Sequence, residues 1–202
     1  MKDTEVELPD LETIWKTNST NLTPSNPVTL SWTNNQNITF KINYTIDDEY
    51  MFSITQEIEN KGDSNIEVFP YRLIKRINTP DTINFFILHE GFISLINDEL
   101  LEKNYDDIAD DCNSSMPSKK EFCDNKAQGG WLGFTDKYWM SALIPDADQS
   151  INVNYRYGNN GRDSYRAGYV GQIYKVSSGE SLEYGGKLFV GAKKLNVLSA
   201  YV

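Results

Sequence analysis

The chain has 202 residues, 39% of them apolar and 12% aromatic, and no Pro- or Gly-rich linker, which suits a single all-β domain spanning 1–202 with a substantial core. Its net charge of −10 excludes a nucleic-acid partner, since neutralising phosphates needs a basic face, and argues against adhesion of the whole surface to anionic lipid. No apolar run approaches the ~18 residues that cross a bilayer, and Met1 is followed by Lys2-Asp3-Thr4-Glu5 rather than a signal peptide, so the chain reads as a fragment.

The first clear element is Ile38 to Ile46, where apolar and polar residues alternate without a break, one face for a core and one for water. Asp47-Asp48-Glu49 turns the chain, Phe52, Ile54 and Ile58 resume the alternation, and Asn60-Lys61-Gly62-Asp63 turns it again. Ile66–Val68 with Tyr71–Leu73 is predicted as one strand broken by Pro70. Turns at this spacing mark an antiparallel meander of a sandwich or barrel. One or two strands are expected over Phe85–Ile96, around Glu90-Gly91. Asn104 to Cys123 reads as loop with a short turn of helix at Asp106–Asp110.

That loop lies in an acidic stretch, Asp98 to Asp124, with nine acids against three lysines, and solvation explains such a run best. It also holds the only two cysteines, Cys112 and Cys123. A disulfide closing a surface loop in an oxidising compartment is favoured over two unrelated thiols, because exposed thiols in a polar loop are a liability. Two cysteines with no nearby third ligand do not make a zinc site, which takes four.

Gly129 to Pro145 is too apolar and aromatic for a surface loop. It is predicted as two strands, Trp131–Phe134 and Tyr138–Pro145, around Thr135-Asp136-Lys137, with Gly129-Gly130 admitting φ > 0 or close approach of another strand. Ile151, Val153, Tyr155 and Tyr157 then alternate, Asn159-Asn160-Gly161 turns, and Tyr165, Ala167 and Tyr169 continue the pattern. A final strand is expected from about Leu182 to Val190. From Ala192 the spacing of Leu195, Leu198 and Val202 predicts a short C-terminal α-helix, with Gly191 as its N-cap. Leu195 and Leu198 are expected to dock that helix, leaving Lys193 and Lys194 for solvent, an acidic partner or lipid headgroups.

Five Asn-x-Ser/Thr sequons, at Asn18, Asn21, Asn37, Asn43 and Asn113, fit the Asn/Ser/Thr-rich composition and two fall on predicted strands, so they read as compositional. The one histidine, His89, has no nucleophile or second histidine placed to complete a catalytic constellation. Trp131, Trp139, Tyr155 and Tyr157 are candidate cleft aromatics for a sugar or extended peptide, although aromatics on alternating strands are more often core filler.

Taken in order, Asn26–Trp32, Asp48–Phe52, Tyr105–Ile108, Gly129–Pro145 and Gly185–Lys193 resemble the large periplasmic domain of bacterial YidC-type membrane protein insertases, over about Asp10 to Val202. The resemblance implies a large twisted antiparallel β-sandwich, the supersandwich of aldose-epimerase-like proteins, carried in the periplasm by an inner-membrane protein. It implies a membrane helix and further strands upstream and a membrane-embedded insertase core downstream. The implied partners are nascent inner-membrane proteins, Sec translocon subunits and the protein's own insertase core, with no cofactor, metal or catalysis. A sugar- or peptide-binding module is the alternative, and a degenerate epimerase-like enzyme centred on His89 and Glu90 is weaker, because that chemistry needs paired histidine and carboxylate groups and fold alone does not carry function.

Overall fold

The computed structural model describes residues 6–81, 89–115 and 121–193. The strands in chain order are β1 (Lys16–Thr17), β2 (Val28–Thr33), β3 (Ile38–Ile46), β4 (Met51–Asn60), β5 (Ile66–Val68), β6 (Tyr71–Ile77), β7 (Gly91–Ile96) and β8 (Glu99–Lys103). After helix α1 (Tyr105–Asp111) and a 3-10 turn (Glu121–Cys123) come β9 (Asp124–Gln128), β10 (Trp131–Thr135), β11 (Trp139–Ile144) and β12 (Ser150–Asn159). The last are β13 (Asp163–Gly171), β14 (Tyr174–Val176), β15 (Ser181–Tyr184) and β16 (Lys187–Ala192). The protein is all-β and antiparallel with one short helix among the described residues. It divides into two compact units, 1–70 with 173–186 and 71–172 with 187–202.

In the first unit β1, β2, β3 and β4 pair in order, β15 pairs with β4, and β5 pairs with β14. The strand predicted from alternation, Ile38–Ile46, matches β3 residue for residue. Its buried face, Ile38 and Phe40, joins Ile66 and Val176 in a core flanked by Trp15, Trp32, Ile58 and Leu182. Trp32 and Phe40 are register partners and stack at 5.7 Å, the aromatic cross-strand pairing that stabilises a ladder. On the opposite face Lys41 bridges Glu57 and Glu59. The fully buried Asn60 closes the unit: its amide nitrogen donates to the carbonyls of Ser64 and Val176, and its side-chain oxygen accepts from the Gly62 amide.

In the second unit one sheet runs β16-β11-β10-β7-β8 and the other β6-β13-β12-β9. Phe92 lies at the centre of its aromatic core, 4.5 Å from its register partner Phe134 and edge-on to Tyr155 at 5.6 Å and Tyr165 at 6.1 Å. Gly129 and Gly130, at φ 62° and 85°, turn the chain into β10 as the Gly-Gly pair predicted. Gly133 is held at glycine by space, since a Cβ there would lie 1.9 Å from the Ser141 carbonyl oxygen.

Four expectations are corrected. Ile66–Val68 and Tyr71–Leu73 are not one interrupted strand: β5 pairs with β14 and β6 with β13, because Pro70, buried and without an N–H, ends one ladder before the next begins. Leu182–Val190 is likewise two strands, β15 and β16, separated at Gly185-Gly186, where Gly186 takes φ 151°. The acidic stretch is not a bare loop. It opens with β8, which was not expected, while the helical turn expected at Asp106–Asp110 is present as the seven-residue α1, whose N-cap Asn104 accepts from the Asp107 amide and whose first turn carries Asp106 and Asp107. Finally, Gly191 and Ala192 finish β16 and do not cap a helix. Lys194, Leu195 and Leu198 lie outside the described residues, as does the part of Phe85–Ile96 before His89.

Candidate functional site

Cys112 and Cys123 are bonded to each other with their Cα atoms 5.5 Å apart, and both are fully buried. Cys112 is the C-cap of α1 and Cys123 ends the 3-10 turn, so the bond ties the acidic segment back to itself. Neighbouring backbone fixes the same place: the Tyr157 amide donates to the Cys112 carbonyl, the Ser114 amide donates to the Tyr157 carbonyl, and Arg156 Nη1 donates to the Cys123 carbonyl at 2.9 Å while Nη2 pairs with Asp124. These contacts tie both ends of the cysteine-closed segment to β12.

The four candidate cleft aromatics are not brought together. Tyr155 is 1% exposed, inside the aromatic core, where burial pushes its phenol up to about 12. Tyr157 lies on the same face of β12 but its hydroxyl donates to Asp163 at 2.6 Å, which also holds the Asp163 carboxyl below its ordinary value. The register puts Leu132 opposite Leu143 and Phe134 opposite Ser141. Directly opposed residues share a face, so Trp139 is on the Phe134 face and Trp131 on the other. Two tryptophans on opposite faces of a sheet cannot line one cleft. The aromatic alternation that suggested a platform is the inward face of β12 and β13.

The concavities agree. A recess of about 50 Å³ lined by Ser94, Glu99, Leu101, Phe122, Asn125 and Tyr155 has room for water, not for a sugar ring, whose pockets run to ~300 Å³ and more. A wider hollow of about 580 Å³ is lined by the polar Asn97, Gln128, Ser150 and Asn152 together with Lys126 and Ile151, with no aromatic side chain to stack a ligand. His89 donates from Nε2 to the Phe92 carbonyl at 2.7 Å, the direction fixed because a carbonyl only accepts. Among the described residues no cluster of three or more His, Cys, Asp or Glu side chains is arranged to hold a metal.

Sequence reasoning missed the polar tie of the second unit. Arg76 on β6 places one guanidinium nitrogen against both carboxylate oxygens of Asp136, at 2.8 and 2.7 Å, and its guanidinium lies 5.6 Å from the centre of the Tyr105 ring. Sixty residues separate the pair and no local pattern announces it. The exposed apolar residues were also not separable from core in the sequence. Tyr138 and Trp139, 63% and 62% exposed, sit at the β10–β11 turn, whereas Leu143 on the same strand is buried.

A family model described as the YidC periplasmic domain matches residues 2–202. Membrane protein insertase YidC of Pelagibacter ubique is 34% identical over 198 residues, 97% of this chain and 33% of that protein. The same-named protein of Methylobacterium radiotolerans is 37% identical over 196 residues, 96% of this chain and 32% of that protein. The chain therefore spans about a third of the length of the curated relatives it matches. Among solved structures, a galactose mutarotase related enzyme from Lactobacillus acidophilus superposes with a TM-score of 0.60 at 9% identity, covering 91% of this chain and 73% of its own. At that identity the likeness concerns the fold alone.

Proposed function

Since the chain belongs to the YidC periplasmic-domain family, a periplasmic domain of an inner-membrane insertase, we propose that it serves there without catalysis, as a scaffold that contacts partner and substrate chains. Insertion itself needs a membrane-embedded core that offers polar groups a hydrated path through lipid. This domain would act beside such a core, meeting nascent inner-membrane proteins or Sec translocon subunits from the periplasmic side. Lys193, Lys194, Leu195 and Leu198 are the residues through which it would couple to the rest of the protein.

The observation that carries the non-catalytic part is the disposal of the groups an epimerase would need. The chain's one histidine is bound to a backbone carbonyl, and the aromatics that would hold a sugar are buried or on opposite faces. Two assays test the reading together. Polarimetry of freshly dissolved α-galactose should give the same mutarotation rate with the purified chain as with buffer, and a saturable rate lost in His89→Ala would overturn it. Affinity capture of the full-length insertase should recover Sec subunits, and less of them from a protein lacking this domain.

A further inference from the structure

We propose that the β10–β11 turn, Lys137-Tyr138-Trp139, seats in the headgroup region of a phospholipid bilayer. Among the described residues Tyr138 and Trp139 are the most exposed aromatics of the second unit and stand adjacent at the tip of a hairpin. Val190 on β16, 46% exposed, extends the apolar surface on the same face as Trp139, because Ser141 pairs with Val190 and Trp139 with Ala192. The tip is built to keep its shape. The Asp136 amide donates to the Trp139 carbonyl and the Lys193 amide to the Tyr138 carbonyl, both at 2.8 Å. Lys137 Nζ stands 4.9 Å from the centre of the Tyr138 ring.

Charge selects the occupant. Lys137 and Lys193 flank the aromatics, and Asp136, the acid within the turn, is neutralised by Arg76. Glu90 is the acid just before the adjoining strand β7, whose Gly91 is the register partner of Thr135. A cationic, aromatic tip on a chain of net −10 presents one small region that an anionic bilayer does not repel. Tyr and Trp, each with an apolar body and a polar end, concentrate where hydrocarbon meets headgroups, and lysines reach phosphate from there. An acidic peptide would match the lysines but leave the two rings in water, so the lipid surface is the better fit.

The test is flotation of the purified chain with phosphatidylcholine vesicles, with and without phosphatidylglycerol. Wild type is expected to float with the mixed vesicles. Tyr138→Ser with Trp139→Ser should weaken binding by roughly tenfold or more. Lys137→Glu with Lys193→Glu should abolish the preference for phosphatidylglycerol while leaving the circular dichroism spectrum unchanged. Brominated lipid should quench a component of the tryptophan emission that is missing in Trp139→Phe, a readout that survives even if the serine variant folds poorly. Failure of wild type to float, or bromolipid quenching equal in wild type and Trp139→Phe, would overturn the proposal. So would Trp139 shielding by an added hydrophobic peptide when vesicles have no effect.

Discussion

Arg76 and Asp136 are joined through a single nitrogen: Nη1 of the arginine donates to both oxygens of the carboxylate, fixing the β10–β11 turn to β6. Each side chain keeps about a third of its surface in water, so solvent screens the pair in part.

Arg76→Ala should therefore lower the unfolding free energy by roughly 1–2 kcal/mol, as expected for a half-screened, charge-assisted hydrogen bond. Urea denaturation of Arg76→Ala, Asp136→Ala and the double variant checks this. The double variant should cost less than the two singles combined, by about 1 kcal/mol. Strict additivity would mean the two groups do not support each other in solution.

Breaking the Cys112–Cys123 bond should destabilise the chain by roughly 2–3 kcal/mol, the loop-closure value for a short ring. The comparison is Cys112→Ser with Cys123→Ser against wild type, unreduced. Thiol labelling of the denatured protein should find no reactive cysteine before reduction and two after it. Because both residues are fully buried, reduction of the native chain should be slow until it unfolds.

Asn60→Ala should be among the most damaging single changes in the first unit, costing roughly 2–3 kcal/mol. It strands the Ser64 and Val176 carbonyls and the Gly62 amide where side-chain contacts had satisfied them. Asn60→Asp should fare no better, since a carboxylate cannot donate to either carbonyl. Thermal melts of the two variants decide it.

Stability should also fall with acid through Glu59. Hydrogen bonds from Lys41, and next from Lys61, lower its carboxyl from an ordinary 4.5 to about 2. A carboxyl depressed on folding contributes fully above its unfolded value and loses that contribution as pH falls through the folded one. The wild-type advantage over Glu59→Gln in urea midpoint should be constant above pH 4.5 and vanish towards pH 2. An advantage that grows on acidification would contradict the assignment.

Sequence pattern located elements well where one face is apolar and the other polar, as in Ile38–Ile46 and Ile151–Tyr157. It failed where a strand owes its existence to its partners. Asp124–Gln128 is polar apart from Ala127 and becomes β9 by pairing with β12, and Glu99–Lys103 lacks alternation and becomes β8 by pairing with β7. The Asn104 cap of α1 was readable in principle, since an Asn followed by acids in the next turn favours a helix start. The cysteines were legible because both lie in one short segment. Trp131 and Trp139 were not, because which face each takes is set by the β10–β11 register rather than by either residue's neighbours.

The most direct test of a contact role is photo-cross-linking from exposed apolar positions of the full-length insertase while an inner-membrane protein is being made. A photoreactive phenylalanine replaces Tyr71, Leu100 or Trp139 in turn, all exposed on the second unit. The account predicts protein adducts, to Sec subunits or the emerging chain, from position 71 or 100, and lipid adducts from position 139. No adduct at any of the three, with insertion undiminished when residues 1–202 are removed, would contradict it.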